Sequence, residues 1–186
     1  ALMWKVVPDD MTRRVAARLA EKVRANDWHL DVGVHGAKAI LNALSENGYA
    51  EDAYRIAVQD TYPSWGWWIV NGATTLLENW DLKATRDISD NHIMFGEIGA
   101  WPYKGLGGIF PDERQPGFRH INLRPNFVRD LRHFEASHNS PYGTIVSKWN
   151  RKGKTVAYTV TLPSNTTATL TIPGAGDGGK TVELEA

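Results

Sequence analysis

Two kinds of hydrophobic spacing divide this chain, and they predict a multi-domain α and β protein in which helices are followed by a small antiparallel β-sandwich. Over residues 1–109 apolar side chains recur at helical intervals. Over 110–186 they alternate with polar ones, as in strands that bury one face. Tryptophan follows the same division: Trp4, Trp28, Trp65, Trp67, Trp68, Trp80 and Trp101 precede the boundary and Trp149 follows it. Chemistry is therefore expected in the helical part.

The chain opens ALMWKVV, without a start methionine or a charged and then apolar leader, and is expected to be a piece of something longer. Asp9 and Asp10 after Pro8 can start a helix in which Met11, Val15, Leu19 and Val23 recur every four residues, with Ala16 and Ala20 beside them. It stops near Asn26-Asp27. A second helix carries Ala37, Ile40, Leu41 and Leu44 and closes at Asn47-Gly48. Gly33 and Gly36 at its start are poor helix formers, which points to a close backbone approach or an irregular beginning. A third, shorter helix is expected over 50–59.

The stretch 61–81, TYPSWGWWIVNGATTLLENWD, reads as a site. Trp65, Trp67 and Trp68 offer flat apolar faces with an N–H handle, the kind of surface that stacks on a sugar ring. Asn71-Gly72 makes a turn, Thr74 and Thr75 offer cap oxygens, and Glu78 stands beside Trp80, a carboxyl group among apolar walls that could take part in proton transfer. The same residues have a plainer reading. Thr75-Leu76-Leu77-Glu78 fits the capping box, in which a glutamate bonds back to the cap residue, and spacing alone favours that box. The tryptophans can equally be helix-packing core.

Residues 82–88 form a polar connection, after which Ser89, Asp90 or Asn91 can cap a helix containing Ile93, Met94, Phe95, Ile98 and Trp101, kinked or ended by Pro102. His92 falls in its first turn and, taken by itself, reads as structural. So does Glu97, as a carboxylate with a hydrogen-bond partner. Strands are expected at 118–124, 131–137, 142–150, 154–162, 166–172 and 181–185, with hairpin turns at 150–153 and 163–165. The helices before them are too few and too irregular for a self-contained bundle, so the helical part looks cut from a larger α domain.

Composition narrows the function classes. With 21 basic and 21 acidic residues the chain has no net charge and no basic field for nucleic acid. No cysteine is present, so disulfides and thiolate metal sites are excluded; no metal and no cofactor is expected, and no membrane partner, since no apolar run of membrane-spanning length occurs. The compartment stays open, with a periplasmic or secreted location favoured over the cytoplasm.

Several motifs in order then resemble one family. HLDVGVHGAKAILNALSENGYAEDAYRIAVQDT, YPSWGWWIVNGATTLLENWD, NHIMFGEIGAWPYKGLGGI, PGFRHINLRP and SPYGTIVSKW resemble the C-terminal part of bacterial α-L-rhamnosidases, over nearly the whole chain. The resemblance implies an incomplete set of (α/α)6 barrel helices followed by the closing β-sandwich, and an enzyme that hydrolyses terminal α-L-rhamnosyl bonds with inversion. Inversion needs one acid to protonate the departing oxygen and one carboxylate to take a proton from water, with roughly 6.5–9.5 Å between them. The family's general base, in its ATT-x-x-E-x-W motif, falls at Glu78, which reverses the capping preference. His92 falls on a histidine that contacts rhamnose, and Trp65, Trp67, Trp68 and Trp80 on the aromatic segment near the pocket. The family's general acid lies in earlier helices that this chain lacks, so the chain alone is expected to be inactive. His35 departs from an expected apolar position. The implied partners are a rhamnose-containing oligosaccharide or glycoside and the rest of the parent catalytic domain, with self-association of the fragment through an uncovered helical face. Rival readings are a non-catalytic carbohydrate-binding or structural fragment, or a related (α/α)6 enzyme acting on another sugar.

Overall fold

The structure is a computed structural model that describes residues 1–173 and 179–186. The chain separates into two compact units, Ala1–Trp101 and Pro102–Ala186. The helices come first and the sheets second, as the spacing predicts.

In the first unit α1 spans Asp9–Ala25, with Asp9 and Asp10 in its first turn and Lys22 and Arg24 in its last, so both ends complement the helix dipole. Ala16, Ala20 and Val23 form its buried stripe. Asp27 and Trp28 then take left-handed backbone angles and reverse the chain. The central helix is α2, Val34–Glu46, which buries Ala37, Ile40, Leu41, Ala43 and Leu44 and so is apolar around much of its girth. A side-chain carbon on Gly36 would lie 2.5 Å from Cβ of Val32, which explains that glycine by close approach; Gly33 has open space and serves as the extended residue before the helix.

α3, Ala50–Ala57, packs on α2 and turns Asp52 inward. A short helix absent from the periodicity, α4, Trp65–Val70, is capped by Ser64, whose hydroxyl accepts from the Trp67 N–H at 2.9 Å. From residue 71 to 92 no helix or strand forms. The single helix expected over residues 93–101 is broken: a 3₁₀ turn at Ile93–Phe95 gives way at Gly96 to α5, Glu97–Trp101. α5 is tied to α2 by the indole N–H of Trp101 on the Ser45 hydroxyl, 2.9 Å, and by Asn42, which donates to Glu97 at 2.8 Å. Glu97, half-buried, thus has the hydrogen-bond partner that the sequence predicts for it.

The second unit opens with a π-helical turn, Pro102–Leu106, so the proline begins a helical turn instead of ending the chain's helical path. Following α5 directly, the proline has no N–H with which to continue that helix's hydrogen-bond ladder. One sheet contains β1 (Ile109–Pro111), β2 (His120–Leu123), β6 (Thr167–Ile172) and β7 (Lys180–Glu185) in the order β1-β2-β6-β7; the other contains β3 (His133–Ser140), β4 (Gly143–Lys152) and β5 (Thr155–Thr161). Ile109, Ile121, Leu123 and Ala168 of the first sheet share one core with Ala136 and Ile145 of the second, the packing of a small sandwich. Along β4, Ile145, Ser147 and Trp149 point inward at the period of two. The buried Ser147 hydroxyl donates to the Gly107 carbonyl at 2.6 Å and meets Tyr158 Oη at 3.0 Å; burial pushes the Tyr158 hydroxyl above its ordinary 10.0 although that bond acts the other way.

Two expectations fail here. The turn between β4 and β5 is Gly153-Lys154, with Lys152 opposite Thr155, later than the expected 150–153. Residues 163–165 are no hairpin, because β5 and β6 belong to different sheets and β6 pairs in parallel with β2. Asn165 takes a left-handed conformation there, and the Thr166 hydroxyl, buried, donates to the Pro163 carbonyl at 2.6 Å, so the connection is a crossing between layers.

Candidate active site

α4 is apolar on every side, so its orientation comes from its indoles. Trp65 and Trp68, three residues apart, share one face of the helix. Trp65 donates its Nε1–H to the Phe95 carbonyl at 3.1 Å, and Trp68 donates to the Trp80 carbonyl at 3.3 Å. Trp80 in turn donates to the Val32 carbonyl at 2.8 Å. Its ring stacks on Trp68 at 4.6 Å between centroids, meets Trp65 edge-on at 5.3 Å and leans on Phe95 at 4.4 Å. Three irregular segments, before α2, after α4 and before α5, are therefore held by three indole donors on three backbone carbonyls. Unpaired, such buried carbonyls would each cost about 1–3 kcal/mol.

This arrangement decides what each tryptophan can do. Trp65 and Trp68 are 5% and 2% exposed, so the sugar stacking expected of them has no free face to use. Trp67 is half-buried and meets Tyr62 edge-on at 6.1 Å. Trp80, 8% exposed, lines an open hollow with Glu78, Asn79, Asp87, Phe95 and the Gly33-Val34 peptide.

Glu78 stands in the irregular segment, and no helix starts at Thr75, so the capping box does not form. The Thr75 hydroxyl instead donates to the Asp90 carbonyl. Residues 75–78 lie beside residues 89–92: the Glu78 N–H donates to the Ser89 carbonyl at 3.0 Å and the His92 N–H to the Leu76 carbonyl at 2.7 Å. The Ser89 N–H then donates back to Glu78 Oε2 at 3.2 Å, while His92 Nε2 lies 3.6 Å from Oε1. Glu78 and His92, fourteen positions apart and picked separately in the sequence, are side by side, both half-buried. His92 precedes a three-residue 3₁₀ turn and so has no helix of its own to sit in.

Chemically, a carboxylate with one oxygen held by a backbone N–H and the other beside an imidazole, at the edge of an aromatic-walled hollow, can accept a proton from a bound hydroxyl or water. Asn79 and Asp87, which line the same hollow, were not singled out in the sequence; Asn79 lies between Glu78 and Trp80, and Asp87 in a polar connection without a spacing signal. Among the described residues no group of histidine, aspartate and glutamate could hold a metal ion, and no helix is long and apolar enough to cross a membrane.

Residues 1–106 match the model of the bacterial alpha-L-rhamnosidase 6 hairpin glycosidase domain, and residues 108–186 that of the bacterial alpha-L-rhamnosidase C-terminal domain. An alpha-L-rhamnosidase of Streptomyces avermitilis is 33% identical over 179 residues, covering 92% of this chain and 17% of that protein. One from Formosa agariphila is 33% identical over 180 residues, covering 93% of this chain and 19% of its own length. The chain thus spans about a fifth of the length of these relatives. Among solved structures, the Streptomyces avermitilis alpha-L-rhamnosidase complexed with L-rhamnose superposes with a TM-score of 0.86 at 30% identity, over 100% of this chain and 20% of that one. The Dictyoglumus thermophilum alpha-L-rhamnosidase gives 0.83 at 33% identity, over 95% and 20%. With both units matched end to end and relatives at this identity covering nearly all of it, the chain belongs to the bacterial alpha-L-rhamnosidase family.

Proposed function

We propose that this chain is part of an α-L-rhamnosidase that releases terminal α-L-rhamnose from glycosides with inversion, and that Glu78 is its general base. The observation that carries the reading is the Glu78 carboxylate, fixed through Oε2 by the Ser89 N–H, faced by His92 and placed at the rim of the hollow walled by Trp80. Family membership and the L-rhamnose bound by the Streptomyces avermitilis relative support the choice of sugar.

In this reading Glu78 takes the proton from a water that attacks the anomeric carbon on the face opposite the leaving oxygen. A general acid from a helix outside this chain protonates that oxygen, and space for the water keeps the two carboxyl groups roughly 6.5–9.5 Å apart. His92 binds a sugar hydroxyl, and Trp80 presents the apolar edge of the hollow with Trp65 and Trp68 as its backing. Trp67 is the remaining aromatic placed near the sugar. The 186 residues alone are inactive because half of the acid–base pair is elsewhere.

The test is hydrolysis of an aryl α-L-rhamnoside by the full-length protein, with Glu78→Gln as the variant and circular dichroism as the check on folding. Turnover should fall by about 10²–10⁴-fold. The first sugar released, followed by NMR, should be the β anomer. Near-normal turnover in the variant would remove Glu78 from the chemistry, and an inactive wild type would leave a carbohydrate-binding part or another sugar as the better reading.

A further inference from the structure

We propose that Thr75 is a positioning residue for Glu78, acting through the segment 89–92; the inference rests on the reading of Glu78 as the base. A general base must hold its carboxylate steady, and displacements of about 1 Å can cost on the order of 10²-fold in rate. Glu78 has no helix or strand beneath it, since residues 71–92 carry neither. Its position depends on four bonds between 75–78 and 89–92. Two are backbone pairs, Glu78 N–H to the Ser89 carbonyl and His92 N–H to the Leu76 carbonyl. The third is the Ser89 N–H on the Glu78 carboxylate itself. The fourth is the Thr75 hydroxyl on the Asp90 carbonyl.

These bonds place the two segments so that one of them carries the base and the other carries both groups that face it. Ser89 supplies the donor to Oε2, and His92 lies 3.6 Å from Oε1. The Thr75 hydroxyl grips the carbonyl of Asp90, the residue after Ser89, between those two groups. Of the four bonds it is the one whose donor can be deleted by a side-chain change that leaves Glu78 intact. Thr75 is exposed, so it fills no core, and its contribution to the fold itself is small. Without the hydroxyl the 89–92 segment is held by one bond fewer, and the donor and the imidazole that face the carboxylate are positioned less firmly together.

The experiment compares Thr75→Val, Thr75→Ser, Glu78→Gln and the double variant Thr75→Val/Glu78→Gln in the full-length protein, on an aryl α-L-rhamnoside. Thr75→Val should lower kcat about tenfold or more with a smaller rise in KM from the shifted His92, because most of the loss falls on the transition state. Thr75→Ser, which keeps the hydroxyl, should restore most of it. In the Glu78→Gln background Thr75→Val should cause no further loss of kcat, the non-additivity expected of a residue that acts through another. Unchanged kcat in Thr75→Val, failure of serine to rescue, or an equal loss in both backgrounds would overturn the proposal while leaving Glu78 as the base. Thr75→Ala repeats the test should Thr75→Val not fold, and loss of the fold in both would make Thr75 a stability residue and overturn the proposal too. An inactive wild type, or an active Glu78→Gln variant, would instead remove the reading beneath it.

Discussion

Asp52 has almost no water around it, 4% exposed, and the groups that replace that water decide how the first unit answers to acid. Burial would raise its carboxyl, but Arg24 reaches it with two bonds, 2.9 and 2.6 Å, and Trp28 with a third at 2.8 Å, and together they hold it below the ordinary 3.8. The same pairing raises the Arg24 guanidinium, less the opposing effect of burial. A carboxyl lowered by folding adds stability that is complete above its unfolded value and is lost as pH falls through its folded value. Urea titrations between about pH 5 and 2 should therefore show wild type losing more stability than Asp52→Asn below the ordinary carboxylate range. Near neutral pH the variant should be about 1–2 kcal/mol weaker, since the amide removes the carboxylate charge and turns an N–H donor toward the Arg24 N–H that Oδ2 accepts in the wild type. Equal acid slopes for both proteins would mean that the pair contributes nothing to folding.

At the scale of elements, α4 shows how a helix too short to stand alone is held. Ser64 caps it, two of its indoles reach other segments, and Gly66 lets its backbone lie against the preceding turn. A Cβ on Gly66 would fall 2.2 Å from the Gln59 carbonyl oxygen and 2.9 Å from Cα of Asp60. Neither atom can rotate away, so Gly66→Ala should shift the whole helix and cost about 2–3 kcal/mol. Trp68 and Trp80 would move with it, so the near-ultraviolet circular dichroism of the tryptophans should weaken as the melting temperature drops. An alanine variant with the wild-type spectrum and melting point would show that α4 has room the geometry does not reveal. α2 illustrates the opposite case, a helix apolar enough around its girth to serve as the centre to which α1, α3 and α5 all pack.

At the scale of the molecule, the first unit leaves large apolar side chains in water, among them Ile69 at 70% and Val70 at 62% exposure, with Val58, Tyr62 and Ile93. Side chains of this kind on one unit favour association when nothing covers them. The isolated 186-residue chain should sediment as a species larger than a monomer as concentration rises, and Ile69→Glu with Val70→Lys should shift it back toward the monomer. A clean monomer at millimolar concentration would count against this. The second unit should behave differently, because both of its sheets turn their apolar faces into one shared core.

The elements visible in the sequence are those whose signal lies within one turn or one strand. The helical recurrence of Met11, Val15, Leu19 and Val23, flanking the buried stripe of Ala16, Ala20 and Val23, and the alternation of Ile145, Ser147 and Trp149 repeat locally because one side of each element meets the core. The family was legible for a related reason: linked motifs keep their order whatever the fold does with them. What the sequence leaves open is set by contacts far apart along it. WGWWIV has no polar face to set against an apolar one, and becomes a helix through Ser64 and partners at Trp80 and Phe95. Thr75 to Glu78 matches a capping box, yet residues 89–92 offer the same donors and acceptors better partners, and the helix never starts. The crossing at 163–165 looks like a hairpin until β6 pairs with β2, more than forty residues earlier. Local spacing determines which face an element buries; which other segment covers that face, and so which tryptophan backs the hollow and which group holds Glu78, is settled only when the chain has closed and donors far apart in sequence have met their acceptors.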